Sequence, residues 1–279
     1  MKVGLAACSN GLDPDCGAQI DELCSVLESM GAETVRAPHM FAATDDFSGT
    51  DEDRARDLMR FYSDDSIDAI FDVTGGDLAN GVLDHLDYGL IARSPKLFWG
   101  YSDLTSVINA IYAKTGKASV LYQVRNLVWS DAELQQRRFS DHISGRSGDL
   151  FVIRYSFLQG SSMEGTVVGG NLRCFLKLAG TGYWPDPTGK IILLESFGGG
   201  SGRIASMFCQ LGQTGAFEKA SGILLGTFTA YSSADLTLDV FDLLKKHIPA
   251  GMPVARTPDV GHGSDARAVM FGEHAAFGC

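Results

Sequence analysis

The sequence predicts an α/β protein in which a parallel β-sheet domain is followed by a second domain of strands and helices. Up to about residue 128, short apolar segments alternate with segments whose apolar residues recur every three or four positions. After residue 163, glycine-punctuated strand-like segments dominate. The polar stretch 129–163 is therefore predicted to connect an N-terminal domain, 1–128, to a C-terminal domain, 164–279.

In the first domain, apolar segments that stop at turn-forming residues are predicted to be strands, and amphipathic segments to be helices. The predicted strands are KVGLAA (2–7), ETVRAP (33–38), IDAIFDVTGG (67–76) and KLFWG (96–100). The predicted helices are Ala18–Met30, Asp51–Ser63 and the segment 78–91. This alternation predicts a parallel sheet with helices on both faces.

The second domain is expected to be less regular. Its predicted strands are EGTVVGGN (164–171), KIILLES (190–196), GILLGTFTA (222–230) and MPVARTPDVGHG (252–263). Two helices are predicted among them, Arg203–Leu211 and Leu236–His247.

Composition excludes several classes of function. The net charge of −11 argues against a nucleic-acid partner, because phosphate binding needs clustered Lys and Arg. No apolar run approaches the roughly 20 residues that cross a bilayer, so no membrane partner is expected. The N-terminus is predicted to be a strand rather than a signal peptide, which favours a cytoplasmic protein. Cys8, Cys16 and Cys24 lack zinc-ligand spacing, so neither a metal site nor a cofactor is predicted.

Ser102 is a candidate nucleophile. It follows a predicted strand that stops at Gly100 and precedes a helical pattern, and this order resembles a nucleophile elbow at the carboxyl end of a strand. The N–H group of Asp103, at the start of the helix, is then a candidate oxyanion donor. An alternative is that Ser102 only caps the helix.

A serine nucleophile needs a base and a group that orients the base. His262 lies between two glycines, in a predicted turn that presents its imidazole. Glu195 ends an apolar strand, where a carboxylate is unusual unless it is paired. The alternatives are a surface-loop histidine and a solvent-facing glutamate.

Two glycine-rich stretches are candidates for binding loops. Gly75 and Gly76 end a predicted strand, and their N–H groups are candidates for the second oxyanion donor, although a simple turn is the alternative. FGGGSGR (197–203) lacks the spacing of a phosphate-binding loop. Neither stretch supports dinucleotide binding.

With these residues in place, the chain resembles the serine peptidases of the L,D-carboxypeptidase family, within it the branch that includes the microcin C self-immunity peptidases. Six segments in the family's order carry the resemblance: TGGDLANGVLDHLDY (74–88), FWGYSDLT (98–105), EGTVVGGNL (164–172), ILLES (192–196), GAFEKASGILLGTF (215–228) and PDVGHG (258–263).

The resemblance implies an N-terminal flavodoxin-like parallel-sheet domain and a C-terminal swivelling-type β/α domain. It implies a catalytic triad of Ser102, Glu195 and His262. It also implies that the protein is a homodimer and binds no metal. It also implies oxyanion donors at Gly76 and Asp103. The candidates that it suggests for substrate binding are Gly75, Asn80, Trp184 and Arg203.

The chain departs from the family pattern in two places. Ala205 and Ser206 stand where the family usually has an acidic residue and an arginine, and Arg203 is a candidate substitute. CSNG (8–11) stands where the family tends to have Pro-Ser.

Trp184 lies where the immunity branch carries an aromatic loop that stacks on a substrate base, but it is equally explained as a hydrophobic anchor.

The expected activity is hydrolysis of an amide near a carboxyl terminus, such as the L,D bond of a murein tetrapeptide. An alternative is cleavage of a peptidyl or aminoacyl nucleotide, as in microcin immunity. Both substrates need a group that binds an anionic end, for which Arg203 and Arg173 are candidates. Two further alternatives are a non-catalytic binding protein, whose triad residues need not converge, and an α/β-hydrolase esterase with one continuous sheet.

Overall fold

The protein is described by a computed structural model that covers residues 1–146, 148–232 and 238–279. These residues form twelve strands, numbered in chain order: β1 Lys2–Ala6, β2 Glu33–Arg36, β3 Ala69–Asp72, β4 Leu97–Gly100, β5 Ser119–Leu121, β6 Ser156–Gln159, β7 Ser162–Asn171, β8 Lys190–Ser196, β9 Gly222–Phe228, β10 Val254–Arg256, β11 Val269–Phe271 and β12 His274–Gly278.

The same residues form ten α-helices: α1 Gly17–Ser29, α2 Asp51–Ser63, α3 Tyr88–Arg93, α4 Thr105–Thr115, α5 Ala132–Ile143, α6 Leu172–Leu176, α7 Ser201–Gln213, α8 Ala216–Lys219, α9 Thr229–Ser232 and α10 Val240–Leu244. Short 3-10 helices lie between them, at Pro14–Cys16, Ala79–His85, Ser102–Leu104 and Val124–Val128.

The strands build two six-stranded sheets that are mostly parallel, which confirms the predicted α/β class. The first sheet has the order β11-β5-β4-β3-β1-β2, and its five N-terminal strands follow the doubly wound order of flavodoxin-like domains. The second sheet has the order β12-β7-β8-β9-β10-β6, with antiparallel strands only at its edges. In each sheet, the carboxyl ends of the central parallel strands point to one edge.

The chain crosses between the two sheets more than once, and a helix that follows the first sheet packs against the second. Strand β11 pairs antiparallel with β5 in the first sheet, and β12 then pairs with β7 in the second. The buried helix α4 packs against β7, where the Asn109 side chain donates to the Gly169 carbonyl at 2.7 Å and accepts from the Gly169 N–H at 3.0 Å. These contacts fix the carboxyl end of β4 relative to the second sheet.

Two helix predictions were wrong. The segment 78–91 is not one helix, because Asp87 adopts an extended backbone and caps a new helix, α3, by accepting from the Leu90 N–H. The predicted helix Leu236–His247 is shortened to α10, which begins after Asp239, whose side chain accepts from the Phe241 N–H. Residues 236 and 237 of that prediction lie outside the described residues.

Strands β5, β6, β11 and β12 and helices α5, α6, α8 and α9 were not predicted. The amphipathic helix α5 lies in the polar stretch 129–163, where it buries Gln135, Arg138 and Phe139. The four strands are short or at sheet edges, where apolar patterning is weak. In the part of the chain that is described, no helix has the length and apolarity needed to span a membrane.

Candidate active site

Ser102 lies at the turn that follows β4. Tyr101 is extended, and Ser102 then adopts a φ of 53°, in the left-handed region that non-glycine residues rarely occupy. Such a conformation costs on the order of 1–3 kcal/mol and is typical of functional sites. The 3-10 helix Ser102–Leu104 follows and leads into α4, and neither helix has a side-chain cap. The capping interpretation of Ser102 is therefore wrong.

His262 and Glu195 complete a hydrogen-bonded chain with Ser102. The Ser102 Oγ lies 3.1 Å from His262 Nε2, and His262 Nδ1 lies 2.7 Å from Glu195 Oε2. With Nδ1 protonated toward the carboxylate, Nε2 is free to accept the serine proton. The three side chains that sequence reasoning selected are thus brought together from two sheets.

Glu195 is held in this orientation by its surroundings. It is fully buried near the end of β8, directly across from Asn171 at the end of β7. Asn171 Nδ2 donates to Glu195 Oε1 at 3.0 Å, so both carboxylate oxygens are engaged. A buried carboxylate with two such partners is fixed in position.

Tyr101 covers the other side of the imidazole. Its ring packs edge-on against His262 at a centroid distance of 4.8 Å, and its hydroxyl lies 3.4 Å from His262 Nδ1. Burial, together with the nearby charge of Glu195, raises the pKa of Tyr101 well above its usual value. The phenol therefore stays protonated and remains a hydrogen-bond donor beside the Glu195–His262 pair.

The turn that presents His262 requires glycine before it. Gly261 has a φ of 157°, and a Cβ at this position would lie only 1.6 Å from Thr227 Oγ1. The segment is anchored to β9 by the Thr227 N–H, which donates to the Val260 carbonyl at 2.7 Å. Because the backbone of Gly261 lies so close to Thr227, only glycine fits in the tight turn that the sequence predicted here.

Gly76 and Asp103 lie next to the nucleophile. Gly76 has a φ of 130°, and a Cβ there would collide with the Asn10 side chain at 2.3 Å. A Cβ on the neighbouring Gly75 would lie 3.7 Å from the Ser102 Cβ. The glycine pair therefore brings bare backbone up to the serine, as an oxyanion site requires.

The Asp103 side chain is buried beneath this turn and does not face substrate. Its carboxylate accepts from the Ser9 hydroxyl at 2.7 Å, from the Ala79 N–H at 2.8 Å and from Lys177 Nζ. Lys177 extends from the end of α6, in the second domain, and its ammonium also donates to the Asp77 carbonyl at 2.7 Å. This pair ties the second domain to the residue whose N–H was predicted to stabilise an oxyanion.

Two cavities open on Ser102 and His262, which line both. The first, called the Arg203 cavity, has a volume of about 350 Å³, and its other lining residues are Gly76, Asp77, Asn171, Arg173, Ser196, Phe197, Gly198, Arg203 and Met207. The second, called the Trp129 cavity, has a volume of about 390 Å³, and its lining includes Asn10, Asp13, Cys16, Gly75, Arg125, Asn126 and Trp129.

The two arginines of the Arg203 cavity differ in their pairing. Arg173 forms an ion pair with Asp77 and donates to the Gly76 carbonyl at 2.8 Å. Arg203 is exposed and forms no hydrogen bond or ion pair with any residue that the structure describes. Of the two arginines that line this cavity with Ser102, it is the one whose guanidinium has no carboxylate partner among the described residues.

The remaining predicted substrate-binding residues divide into two groups. Gly75 lines the Trp129 cavity, whereas Asn80 is exposed on the 3-10 helix Ala79–His85 and lines neither cavity. Trp184 also lines neither cavity, because its ring stacks on Phe175 at a centroid distance of 4.4 Å. The substrate-binding roles of Asn80 and Trp184 stay predictions.

Sequence reasoning missed Tyr101, Asn171 and Lys177. Asn171 was detectable in principle, since it ends a strand next to the strand that carries Glu195. Ala205 and Ser206, where the resemblance leads us to expect an acidic residue and an arginine, lie in α7 and line neither cavity. Among the described residues, no three His, Cys, Asp or Glu side chains are grouped so as to hold a metal ion.

Comparison with known proteins gives matches over most of the chain. The profile of the LD-carboxypeptidase N-terminal domain matches residues 3–122, and that of the LD-carboxypeptidase C-terminal domain matches residues 164–277. A probable murein peptide carboxypeptidase of Bacillus subtilis is 28% identical over 287 residues, covering 98% of this chain and 88% of the relative.

Similarity extends to the microcin C7 self-immunity protein MccF of Escherichia coli, which is 27% identical over 67% of this chain and 64% of its own length. The structure of MccF in complex with glutamyl sulfamoyl guanosine superposes with a TM-score of 0.86 at 21% identity, covering 99% of this chain and 92% of MccF. At this identity the superposition shows a shared fold of two α/β domains.

Proposed function

The chain belongs to the LD-carboxypeptidase family, and from this premise we propose that it is a serine peptidase that releases the C-terminal D-amino acid of a short peptide, such as a murein tetrapeptide. The observation that carries the proposal is the hydrogen-bonded chain from Ser102 Oγ through His262 to Glu195. A strained serine beside a histidine that a buried carboxylate orients is the arrangement that acyl transfer requires.

In the proposed mechanism, Ser102 Oγ attacks the scissile carbonyl while His262 Nε2 takes its proton. Glu195 keeps the imidazole in the required tautomer and stabilises the imidazolium that forms. His262 then donates the proton to the leaving amine, and the C–N bond breaks. A water molecule, deprotonated by His262, hydrolyses the acyl-enzyme and restores Ser102.

The oxyanion is proposed to bind the N–H groups of Gly76 and Asp103, each worth roughly 3 kcal/mol in the transition state. The Asp103 N–H belongs to a turn that Ser9, Ala79 and Lys177 hold in place through the side-chain carboxylate. These donors need not reorganise during the reaction, which is the physical basis of their effect.

The C-terminal carboxylate of the substrate is proposed to bind Arg203. Of the two arginines in that cavity, only Arg203 lacks a carboxylate partner among the described residues. The exposed ring of Phe197 lies 5.1 Å from the His262 ring and offers an apolar wall for a small side chain. The Arg203 cavity therefore suits a small residue that bears a free carboxylate.

The structure favours a peptide over the alternatives. Trp184, the residue expected to stack on a nucleobase, is instead stacked on Phe175 and lines neither cavity. A non-catalytic binding protein predicts no convergence of the three side chains, and an α/β-hydrolase esterase predicts one continuous sheet. The hydrogen-bonded chain and the two separate sheets support neither alternative.

The proposed chemistry uses side chains and water and includes no metal or cofactor. A cytoplasmic location and a homodimer remain part of the proposal. Size-exclusion chromatography with light scattering measures the oligomeric state, with a dimer of the 29.9 kDa chain as the expected result.

The test is turnover of two compounds, a tetrapeptide that ends in D-Ala and an aminoacyl sulfamoyl-adenosine. We expect wild type to cleave the tetrapeptide and Ser102→Ala to lose at least about 10⁴-fold in kcat. Ser25→Ala, on the exposed face of α1, is the matched control and should retain full activity. Cleavage of the nucleotide compound alone would replace the peptide substrate with the immunity-type substrate.

A further inference from the structure

The turn 75–77 carries Gly76, the proposed oxyanion donor, and it is held by Arg173 and Lys177, on and just after α6 in the second domain. The proposed chemistry gives Arg173 no role so far. We propose that Arg173 is a positioning residue that fixes the peptide between Gly76 and Asp77, so that the Gly76 N–H stays directed at the oxyanion. The inference rests on the proposed peptidase function and adds a residue of the second domain on which its oxyanion site depends.

Gly76 cannot hold this turn in one conformation by itself. Its φ of 130° lies in a region that glycine reaches at little cost, and the residue before it is also a glycine. Without side chains, both residues have wide backbone freedom. An oxyanion donor stabilises the transition state only as far as it is already oriented before the reaction. Contacts from outside the turn must therefore supply the order that its glycines lack.

Three of the four backbone polar groups of Gly76 and Asp77 are bonded to side chains. The Gly76 carbonyl accepts from Arg173 Nη2 at 2.8 Å. The Asp77 N–H donates to Asn10 Oδ1 at 2.7 Å, and the Asp77 carbonyl accepts from Lys177 Nζ at 2.7 Å. The fourth group, the Gly76 N–H, donates to no residue that the structure describes. It is therefore the group of this turn that is left for a substrate oxygen.

Arg173 holds the turn through two groups at once. Its Nη2 bonds the Gly76 carbonyl while its Nη1 forms an ion pair with the Asp77 carboxylate. The planar guanidinium keeps these donors at a fixed spacing, as the single ammonium of a lysine does not. Rotation of the peptide between Gly76 and Asp77 would break the bond to its carbonyl on one side and the bond from its N–H to Asn10 on the other.

Helix α6 connects this turn to the acid of the triad. Arg173 and Lys177 are four residues apart, so they extend from the same face of the helix. The helix begins directly after Asn171, whose side chain donates to the Glu195 carboxylate at 3.0 Å. The same short segment of the second domain therefore supports the triad acid and the oxyanion turn.

Arg173 also lines the Arg203 cavity, so positioning has to be distinguished from direct contact with substrate. The charge of Arg173 is matched by Asp77, whereas Arg203 has no carboxylate partner among the described residues. Direct binding of a terminal carboxylate by Arg173 would act on KM, and only for substrates that carry this group. Positioning acts on kcat whatever the terminal group, because an oxyanion donor works in the transition state.

The first experiment compares wild type with Arg173→Met on two tetrapeptides, one ending in D-Ala and the other in D-Ala carboxamide. We expect kcat to fall about 10- to 100-fold on both, a smaller loss than removal of an oxyanion donor causes. KM should change less than about threefold. Arg56→Met, which removes a surface ion pair with Asp53 on α2, is the matched control and should keep the wild-type kcat.

Asn10→Ala loosens the same peptide from the side of the first domain. It removes the acceptor of the Asp77 N–H and leaves Arg173 in place. We expect the same pattern, a lower kcat on both tetrapeptides with little change in KM. This variant carries the test if Arg173→Met does not fold, which thermal melting of each protein checks.

Hydrogen exchange measures the order of the turn without any substrate. Exchange is followed by mass spectrometry of peptic fragments that cover residues 74–80. We expect these amides to exchange about tenfold faster in Arg173→Met than in wild type, because the turn opens more often when the guanidinium is absent. Arg56→Met should match wild type.

Two results would overturn the inference while leaving a peptidase. One is an unchanged kcat in Arg173→Met and Asn10→Ala, or a loss that is confined to the free carboxylate and lies in KM. The other is an equal exchange rate of the turn in wild type and Arg173→Met. Wild type that cleaves neither tetrapeptide would overturn the proposed function instead, and the exchange rates would still decide whether Arg173 holds the turn.

Discussion

Ser102, at the end of a strand of the first sheet, is positioned by its own backbone conformation, whereas Glu195, in a strand of the second sheet, is positioned by hydrogen bonds to the side chains of Asn171 and His262. The serine has a φ of 53° at the start of a 3-10 helix. The glutamate is fully buried between Asn171 and the imidazole. The nucleophile therefore depends on the conformation of one turn, and the acid–base pair depends on hydrogen bonds.

Because the two halves of the site come from different sheets, their separation depends on contacts between the domains. Asn109 of α4 bonds both backbone groups of Gly169, and the Thr105 hydroxyl accepts from the Asn171 N–H at 3.0 Å. Lys177 reaches from the second domain to the buried Asp103. Substitutions on the second-sheet side should therefore impair catalysis without removing the nucleophile.

The largest effect on that side is expected for Glu195→Gln. The amide keeps the shape of the side chain but cannot stabilise the imidazolium, and it favours the wrong histidine tautomer. We expect kcat to fall by about 10³- to 10⁴-fold with little change in thermal stability. Steady-state kinetics and thermal melting of the same sample measure both. Glu164→Gln, at an exposed strand position, is the control. A fall in kcat of less than tenfold in Glu195→Gln would contradict the role of the carboxylate.

Lys177→Met tests the contact between the domains. Asp103 is fully buried, so removal of its ammonium partner leaves a buried charge that only neutral donors contact. We expect the free energy of unfolding to fall by about 3–5 kcal/mol. Urea denaturation measures this loss, and Lys246→Met, at an exposed site, should show almost none. A loss below about 1 kcal/mol would mean that the pair contributes little to joining the domains.

Arg203→Ala tests the direction of substrate binding. If the guanidinium holds the terminal carboxylate, kcat/KM for a peptide ending in D-Ala should fall about 10- to 100-fold, and a C-terminal carboxamide should react equally with both proteins. Arg137→Ala, at an exposed position away from both cavities, is the control. If Arg203→Ala keeps the wild-type preference for a free carboxylate over a carboxamide, then another residue binds the carboxylate.

The smallest effect is expected for Tyr101→Phe. The phenol donates toward the Glu195 carboxylate, which Asn171 and His262 still hold in the variant, so turnover should fall about fivefold. Because burial and the charge of Glu195 raise the pKa of Tyr101 above its usual value near 10, wild-type activity should show no change from its ionisation up to that pH. Rates of wild type and Tyr101→Phe measured against pH check this expectation. A change in the wild-type rate below pH 10 that is absent from Tyr101→Phe would show that Tyr101 ionises in this range.

The sequence predicted the features that depend on strand ends. Ser102 follows a parallel strand and Glu195 lies near the end of another, and such ends meet at one edge of each sheet. His262 was found because its flanking glycines mark a turn. The parallel topology and most helices of the first domain followed from local apolar periodicity.

Features that depend on contacts between distant residues were not predictable. No local pattern marks β11 as a strand of the first sheet or pairs Lys177 with Asp103. The left-handed conformation of Ser102 is imposed by the surrounding fold on a residue without that preference. Periodicity reports local structure, and these features arise only when the two sheets are assembled.

Identification of the acylated residue tests most directly whether Ser102 is the nucleophile. Wild type is mixed with a D-Ala-terminated tetrapeptide, quenched in acid during turnover, digested with trypsin and analysed by mass spectrometry. We expect the mass of the acyl group on the peptide Leu97–Lys114, at Ser102, and neither adduct nor turnover in Ser102→Ala. Turnover by Ser102→Ala at the wild-type rate, or an adduct on another residue, would show that Ser102 is not the nucleophile.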